Sequence, residues 1–201
     1  MIEIERDAGL LVLRLNRSDK ANSLTKAMLE ALDAALSGDT PAALILTGAG
    51  KVFSAGADLD EARAGLATDG VWERLSGRIA ALPCLTIAAL NGTLAGGAMG
   101  MVLACDLRLA VPPAKFFYPV MKLGFLPQPS DPARLVALIG PARAKLILMG
   151  GAKIEADEAL AWGLIDRIVE PQSLLETARA LAADTLAAKP GHAAAIKRLI
   201  G

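Results

Sequence analysis

Two glycine-rich segments contain the residues of this 201-residue chain whose pattern best suits chemistry. SAGADLD (54–60) and NGTLAGGAMG (91–100) each come after an apolar run that is typical of a buried strand. We expect each segment to lead from a strand into a helix, where the first backbone N–H groups have no partner within the helix. Glycine allows close approach to that backbone, and two convergent N–H donors can stabilise a carbonyl oxygen that becomes negatively charged. Tight turns alone would explain either segment, but the two together with the residues around them favour an oxyanion site.

Motifs for other chemistries are not found in the sequence. GGAMG (96–100) lacks the G-x-G-x-x-G spacing of a dinucleotide loop, and GK (50–51) lacks the flanking residues of a phosphate-binding loop. The single histidine, His192, lies in an Ala-rich terminal segment, so a Ser–His–Asp hydrolase or a His/Cys metal site is not expected. Cys84 and Cys105 lie in apolar segments, which predicts buried free thiols.

The composition restricts the partners. Lys and Arg total 21, Asp and Glu total 21, and no basic cluster is present, so we expect no nucleic-acid partner. The most apolar stretch, residues 93–105, is shorter than the roughly 20 residues of a spanning helix, so we expect no membrane partner. The N-terminal MIEIERDAG is not a secretory signal, which predicts a cytoplasmic protein. Zero net charge with 54% hydrophobic residues indicates a homo-oligomer.

Apolar periodicity predicts an α/β fold in which strands alternate with helices. The predicted strands are 2–5, 10–16, 42–47, 84–90, 106–111, 116–120 and 166–169, and the main predicted helices are 24–37, 69–82, 173–188 and 191–200. Ser23 is expected to cap the first helix, and residues 48–60 are expected to form a loop that opens towards a helix. We expect a core with the pocket over 1–130 and a helical region over 131–201, although the two could form one domain.

Six stretches resemble the crotonase family, which includes enoyl-CoA hydratases and isomerases. They are NRSDKANSLTKAML (16–29), LILTGAGKVFSAGADL (44–59), PCLTIAALNGTLAGGAMG (83–100), CDLRLAV (105–111), KLGFLPQPSDPARL (122–135) and EALAWGLIDRIV (158–169). The resemblance implies a spiral of ββα units and a ligand that is an acyl-CoA thioester, with coenzyme A as part of the substrate and no separate cofactor. It also implies a trimer. Most relatives continue beyond the equivalent of AAIKRLIG (194–201), so the helical C-terminal region is expected to be shortened.

The resemblance also implies roles for individual residues. The oxyanion donors would be the backbone N–H groups of Ala57 and Gly97. Coenzyme A would lie along five residues that act largely through their backbone: Lys20, Ala21, Ala55, Asp58 and Leu59. Gly96 would be a further substrate-binding residue. Asp58 is expected to brace its turn, and Lys20 is expected either to hold phosphate or to be a solvated surface lysine.

Two positions depart from the hydratase pattern of this family. Hydratases have one glutamate on the helix after the double glycine, where this chain has Gly100, and a second after a proline, where Val120 follows Pro119. Such paired carboxylates orient water and move its proton. Ordinary hydration of crotonyl-CoA is therefore expected to be lost or very slow.

Tyr118 and Asp131 are the candidates to replace the missing acids. Tyr118 would face the same side as Val120 if the backbone is extended, and its phenol, with an ordinary pKa of about 10, can donate a proton but is a poor base alone. Asp131 follows the loop that closes over the acyl chain in this family, but it could equally be a first-turn helix acid with Ser130 as the cap.

The sequence therefore predicts a crotonase-like enzyme that binds acyl-CoA and stabilises a thioester oxyanion or enolate. Its hydratase- or isomerase-related chemistry would use non-standard acid and base residues, in an isomerisation, a decarboxylation or a thioester cleavage. Two alternatives remain open: a non-catalytic acyl-CoA-binding protein, and a scaffold subunit with a vestigial pocket.

Overall fold

The computed structural model describes residues 1–200 and contains two sheets with helices around them. The strands are β1 (Ile2–Asp7), β2 (Leu10–Leu15), β3 (Ala43–Gly48), β4 (Val52–Ser54), β5 (Leu85–Leu90), β6 (Thr93–Ala95), β7 (Leu107–Ala110), β8 (Lys115–Phe117), β9 (Ile154–Glu155) and β10 (Arg167–Ile168). The α-helices are α1 (Lys26–Ala35), α2 (Leu59–Arg63), α3 (Val71–Ala81), α4 (Met99–Leu103), α5 (Val120–Leu123), α6 (Asp131–Leu148), α7 (Ala156–Trp162), α8 (Leu174–Ala187) and α9 (His192–Ile200).

Consecutive strands enter different sheets. The larger sheet has the order β1-β2-β3-β5-β7-β10 and is parallel except for the β1–β2 pair. The smaller sheet has the order β4-β6-β8-β9, in which only β8–β9 is antiparallel. Each of the pairs β3–β4, β5–β6 and β7–β8 therefore contributes one strand to each sheet before a helix follows. This repeat confirms the predicted α/β spiral of ββα units.

The central strands β3 and β5 of the larger sheet are apolar, and both of their faces are covered. All of Ala43–Thr47 in β3 is buried, and so is all of Thr86–Leu90 in β5. Parallel strands covered on both faces have continuous apolar runs, and these are the runs from which the strands were predicted. One hydrophobic cluster extends from Leu10 to Ala182. Within residues 1–200, none of the helices combines the length and apolar character that crossing a membrane requires.

Local signals failed at two element boundaries. Ser23 does not cap the first helix, because Leu24 is held in a parallel bridge with Ala57 and the helix begins two residues later. Thr25 is the cap, and its hydroxyl oxygen accepts the Met28 N–H at 3.2 Å. The predicted loop over 48–60 contains strand β4, whose three residues are too few to show an alternating pattern.

Candidate active site

The two glycine-rich segments meet at the backbones of Gly56 and Gly96. Gly56 has a φ of +93°, and a Cβ atom there would lie 3.0 Å from the carbonyl oxygen of Ala95. A Cβ atom at Gly96, which also has a positive φ of +57°, would lie 3.5 Å from the Cα atom of Gly56. A side chain at Gly56 would crowd the other segment, and the positive φ at both positions disfavours any residue but glycine. The glycines therefore place the following residues, Ala57 and Gly97, on neighbouring parts of one surface.

The backbone N–H of Ala57 points away from the strand-like segment beside it. The carbonyl of Gly56 accepts from the N–H of Leu24 at 2.8 Å, and the N–H of Asp58 donates to the carbonyl of Leu24 at 2.9 Å. The carbonyl of Gly56 and the N–H of Asp58 therefore both point towards Leu24. Because alternate residues of an extended segment direct their N–H groups to opposite sides, the N–H of Ala57 faces the other way, where Ala57 lines a cavity.

Gly97 lines the same cavity from the start of a helix. It is the second residue of a 3₁₀ turn, Gly96–Ala98, which continues directly into α4. N–H groups in a first helical turn have no partner within the helix. A Cβ atom at Gly97 would lie 3.3 Å from the ring of Trp72, so the indole packs directly against this backbone. Both residues that were predicted to supply donors therefore line the same cavity.

The cavity itself has a volume of about 280 Å³ and walls that are mainly apolar. Its apolar lining includes Leu59, Ala62, Ala67, Trp72, Leu123 and Phe125. The side chains near its opening are strongly exposed, as shown by Leu126 at 87%. Such walls suit an acyl chain better than a charged group.

Three of the six residues predicted to contact coenzyme A or the thioester line this cavity: Ala55, Leu59 and Gly96. Lys20, Ala21 and Asp58 are not among its lining residues. Lys20 is exposed at the end of a 3₁₀ turn, and the carbonyl of Ala21 accepts the N–H of Ala55 at 3.0 Å.

Asp58 braces the segment SAGADLD (54–60). Its carboxylate accepts from Nη1 of Arg17 at 2.7 Å, and it caps α2 by accepting the N–H groups of Asp60 and Glu61. The hydrogen bond from Arg17 holds the pKa of Asp58 below its usual range. Asp58 is therefore ionised at neutral pH and occupied by structural contacts.

The two candidate acid/base residues are in contact with each other. The hydroxyl of Tyr118 donates to Oδ2 of Asp131 at 3.0 Å and accepts the backbone N–H of Gln128 at 3.3 Å. Tyr118 lines the cavity, and Asp131 lies behind it with 1% of its surface exposed. The extended backbone that was assumed between Tyr118 and Val120 is not found. Strand β8 ends at Phe117 and the backbone turns at Pro119 (φ −81°, ψ 39°), so the segment is not extended up to Val120.

Burial changes the acidity of this pair. Burial raises the pKa of Asp131 to about 6, although the hydrogen bond from Tyr118 and the charge of Arg134 oppose the change. Burial and the nearby Asp131 carboxylate raise the pKa of Tyr118 far above its usual range. At neutral pH Asp131 is therefore largely ionised, and Tyr118 keeps its proton.

Ser130 does not cap α6 through its side chain. It occupies the N-cap position with helical angles (φ −81°, ψ −18°), whereas a capping side chain requires an extended residue. Its hydroxyl donates instead to Glu73 of α3, and its N–H donates to the same carboxylate at 3.2 Å. Asp131 is the first residue of α6, but it is buried against Tyr118 rather than solvated.

Three residues that sequence analysis did not assign to the site also shape it: Gly56, Trp72 and Gln128. Nε1 of Trp72 donates to the carbonyl of Leu66 at 2.8 Å, and Nε2 of Gln128 donates to the carbonyl of Ala67 at 3.1 Å. Both bonds fix the short turn that forms one side of the cavity. In the sequence Trp72 is one of the apolar residues of the helix predicted over 69–82, and no local pattern indicated a role for Gln128.

The two cysteines do not provide a nucleophile. Both are buried and free, as predicted. Burial raises the pKa of the Cys84 thiol to about 11 and that of Cys105 to about 12. The reactive thiolate is therefore not accessible at neutral pH.

Comparisons with known proteins agree on one family. Residues 5–200 match the family model described as Enoyl-CoA hydratase/isomerase. A short-chain-enoyl-CoA hydratase of Clostridium acetobutylicum is 34% identical over 189 residues, covering 89% of this chain and 72% of that protein. A crotonyl-CoA hydratase of Syntrophomonas wolfei is 36% identical over 191 residues, covering 90% and 74%. The crystal structure of an enoyl-CoA hydratase from Bacillus anthracis is 33% identical and superimposes with a TM-score of 0.90, covering 99% of this chain and 81% of that one.

Proposed function

Because this chain belongs to the enoyl-CoA hydratase/isomerase family, we propose that it binds an acyl-CoA thioester in the cavity and stabilises its enolate form. The backbone N–H groups of Ala57 and Gly97 would hold the thioester oxygen. The observation that supports this proposal is the contact between Gly56 and Gly96, since the residues that follow them, Ala57 and Gly97, both line the cavity.

This geometry suits a thioester that loses a proton from its α-carbon. As the C–H bond breaks, its electron pair moves towards the carbonyl and the oxygen becomes negative. Backbone donors that are already in place stabilise that charge without rearranging, and one such donor is typically worth about 2.7–4 kcal/mol. The apolar walls formed by residues such as Ala62 and Trp72 reduce the local dielectric and so strengthen the effect.

Coenzyme A would extend from the cavity along Leu59, Ala55 and Ala21 towards Lys20. Support comes from the hydrogen bond between the Ala55 N–H and the Ala21 carbonyl, which joins the two backbone segments into one surface. Asp58 would take part only by holding its segment in place, because its carboxylate is already bound to Arg17.

Proton transfer within the acyl group fits this site better than hydration. Hydration by paired carboxylates requires one at each of two positions, and Gly100 and Val120 stand there. Asp131 and Tyr118 remain as the acid/base candidates. A site with one carboxylate can take a proton from one carbon and return it to another, which is an isomerisation.

The test combines binding with proton exchange. Calorimetric titration with butyryl-CoA should show binding, and mass spectrometry in D₂O should show deuterium entering the α-position of the bound thioester. Binding without exchange would favour the non-catalytic alternative. No binding at millimolar ligand would overturn the proposal.

Gly97→Pro tests the assigned donor, with Gly97→Ala as the matched control. Proline removes the N–H, whereas alanine keeps it and adds only a Cβ atom 3.3 Å from the Trp72 ring. We expect the proline variant to lose about 10²–10³-fold in exchange rate and the alanine variant to lose much less. Equal rates in two folded variants would show that this N–H is not a donor.

A further inference from the structure

The space above Gly100 is filled by a carboxyl group from a different helix. A Cβ atom at Gly100 would lie 2.8 Å from Oδ1, 3.3 Å from Oδ2 and 3.4 Å from Cγ of Asp131. Gly100 belongs to α4 and Asp131 begins α6, so residues 31 positions apart in sequence share one place. A Cβ atom at position 100 would crowd this carboxyl group, so the glycine leaves room for it.

The buried position of the Asp131 carboxyl group is expected to lower the stability of the fold. It is 1% exposed, its Oδ2 accepts one hydrogen bond from Tyr118, and its Oδ1 has no partner among the described residues. Leaving a buried polar atom unpaired normally costs free energy. A purely structural acid at a helix start would be exposed or fully bonded. The unpaired oxygen leaves part of this carboxyl group without a hydrogen-bond partner among the described residues.

Tyr118 is the link between this carboxyl group and the cavity. Its ring lines the cavity wall, as does Gly97, which precedes Gly100 by about one helical turn. Its hydroxyl proton points at Oδ2 of Asp131, and the Gln128 N–H fixes the hydroxyl oxygen from another side. A proton that reaches the hydroxyl oxygen from the cavity can thus be matched by one that leaves for Asp131.

We propose that Tyr118 and Asp131 form a proton relay for the acyl group. The Tyr118 oxygen takes the proton from the α-carbon while its own proton passes to Oδ2 of Asp131, and the C–H electron pair becomes the enolate. In reverse, the proton returns to the α-carbon. In a β,γ-unsaturated thioester it returns to the γ-carbon instead, which moves the double bond into conjugation with the carbonyl. No electron, water or co-reactant is consumed. This inference rests on the proposed function.

The charges around the pair suit this role. Asp131 has a pKa of about 6, so near neutral pH it is mostly ready to accept a proton and can still release one. Two charged groups act on it: Arg134 on its own helix lowers its pKa, and Glu73 on α3 raises it. Helix α4, which packs against the carboxyl group, has no titratable residue between Met99 and Leu103. Because the two oxygens exchange protons together, a free Tyr118 phenolate is never formed.

The test measures α-proton exchange of butyryl-CoA in D₂O for Tyr118→Phe, Asp131→Asn and the double variant. We expect each single variant to lose about 10²–10⁴-fold in rate and the double variant to lose no more than the slower single variant, because the two groups act as one unit. All variants should still bind butyryl-CoA in calorimetry. Asp33→Asn is the matched control, since Asp33 is a largely buried carboxylate paired with Arg74 and Arg78 away from the cavity.

The pH profile separates the relay from a structural role. The wild-type rate should fall as the pH drops below about 6, where Asp131 becomes protonated, and Asp131→Asn should lack this limb. Exchange that survives in both single variants would overturn the relay and leave the enolate site standing. A full rate and an unchanged limb in Tyr118→Phe would equally overturn it. A wild-type protein that binds no butyryl-CoA would instead overturn the proposed function itself.

Discussion

At the scale of single residues, Gly100 and Asp131 have to be interpreted together. Alone, Gly100 reads as the loss of a catalytic glutamate, and SDP at 130–132 reads as an ordinary helix start. The structure places the Asp131 carboxyl group in the space that a side chain at position 100 would need. A side chain at position 100 would therefore compete for space with the Asp131 carboxyl group, which would have to shift.

Asp131→Asn should change how stability depends on pH. The pKa of Asp131 is raised in the folded protein from 3.8 to about 6, which corresponds to about 3 kcal/mol between its two protonation states. Its favourable contribution is therefore fully present below about pH 3.8 and is lost as the pH rises through about 6. We expect Asp131→Asn to gain stability relative to wild type as the pH rises across this window, by up to that amount. Urea denaturation at several pH values measures the difference.

The test depends on the difference in unfolding free energy between wild type and Asp131→Asn at each pH. Asp33 and Asp58 have lowered pKa values in the folded protein, so their stabilising contributions disappear as the pH falls. Their effect has the opposite sign but is common to both proteins, and it cancels in the comparison. If the difference in unfolding free energy between wild type and Asp131→Asn does not change with pH, burial does not raise the pKa of Asp131.

Gly100→Ala should destabilise the protein through the Asp131 carboxyl group. The new Cβ atom would lie 2.8 Å from Oδ1, and crowding of this kind in a packed interior costs about 1–3 kcal/mol. Gly77→Ala is the matched control, because Gly77 is also in a helix but has nothing within 4 Å of its Cβ position. That control should gain about 0.5–1 kcal/mol from helix propensity. Similar effects of the two substitutions in thermal denaturation would contradict the contact.

At the scale of elements, the sequence predicted the strands that are long enough to show a hydrophobic pattern. Strands β3 and β5 are six residues each and buried on both faces, so their apolar runs were unmistakable. Strands β4 and β6 have three residues each, which is too short for any period, and they were missed. The division of consecutive strands between two sheets also depends on pairing over long distances, and only the family resemblance predicted it.

In the candidate site, too, features with a local sequence pattern were predicted, and features formed by distant residues were not. The two donor-bearing turns were found because Gly-rich segments after strands have a local signature. The contact between Gly56 and Gly96 and the burial of Asp131 join residues from distant segments, and no local pattern encodes them. Tyr118 was found from its spacing to Val120, although the extended backbone assumed for that spacing is replaced by a turn at Pro119.

Gly56→Ala should separate the two segments that form the proposed oxyanion site. It imposes a side chain at a φ of +93°, with its Cβ atom 3.0 Å from the Ala95 carbonyl oxygen. Gly65→Ala is the matched control, because Gly65 has a φ of +114° and nothing within 4 Å. Both substitutions should cost about 1–2 kcal/mol of backbone strain, but only Gly56→Ala should also reduce α-proton exchange. Equal loss of exchange in both variants would mean that strain alone, not the approach of the segments, controls the site.

At the scale of the whole molecule, the surface retains apolar side chains in one terminal helix. Helix α9 has no buried residue, and Ile196, Leu199 and Ile200 are 46%, 88% and 82% exposed. It is held to the core by Lys197, whose Nζ donates to Asp106 at 2.8 Å and to the carbonyl of Cys84 at 3.1 Å. Apolar side chains clustered on a surface of zero net charge favour association.

We therefore expect a homo-oligomer in solution, with α9 at a contact between subunits and with the trimer predicted from the sequence resemblance as the expected state. Light scattering at micromolar concentration should give a multiple of 20.7 kDa. Leu199→Glu combined with Ile200→Glu should shift the mass towards the monomer, because a buried contact cannot accept two unpaired carboxylates without a large cost. Leu126→Glu is the matched control: Leu126 is equally exposed, at 87%, but lies at the cavity opening. A wild-type mass of one subunit would contradict the expected oligomer, and an unchanged mass in the α9 variant would place the contact elsewhere.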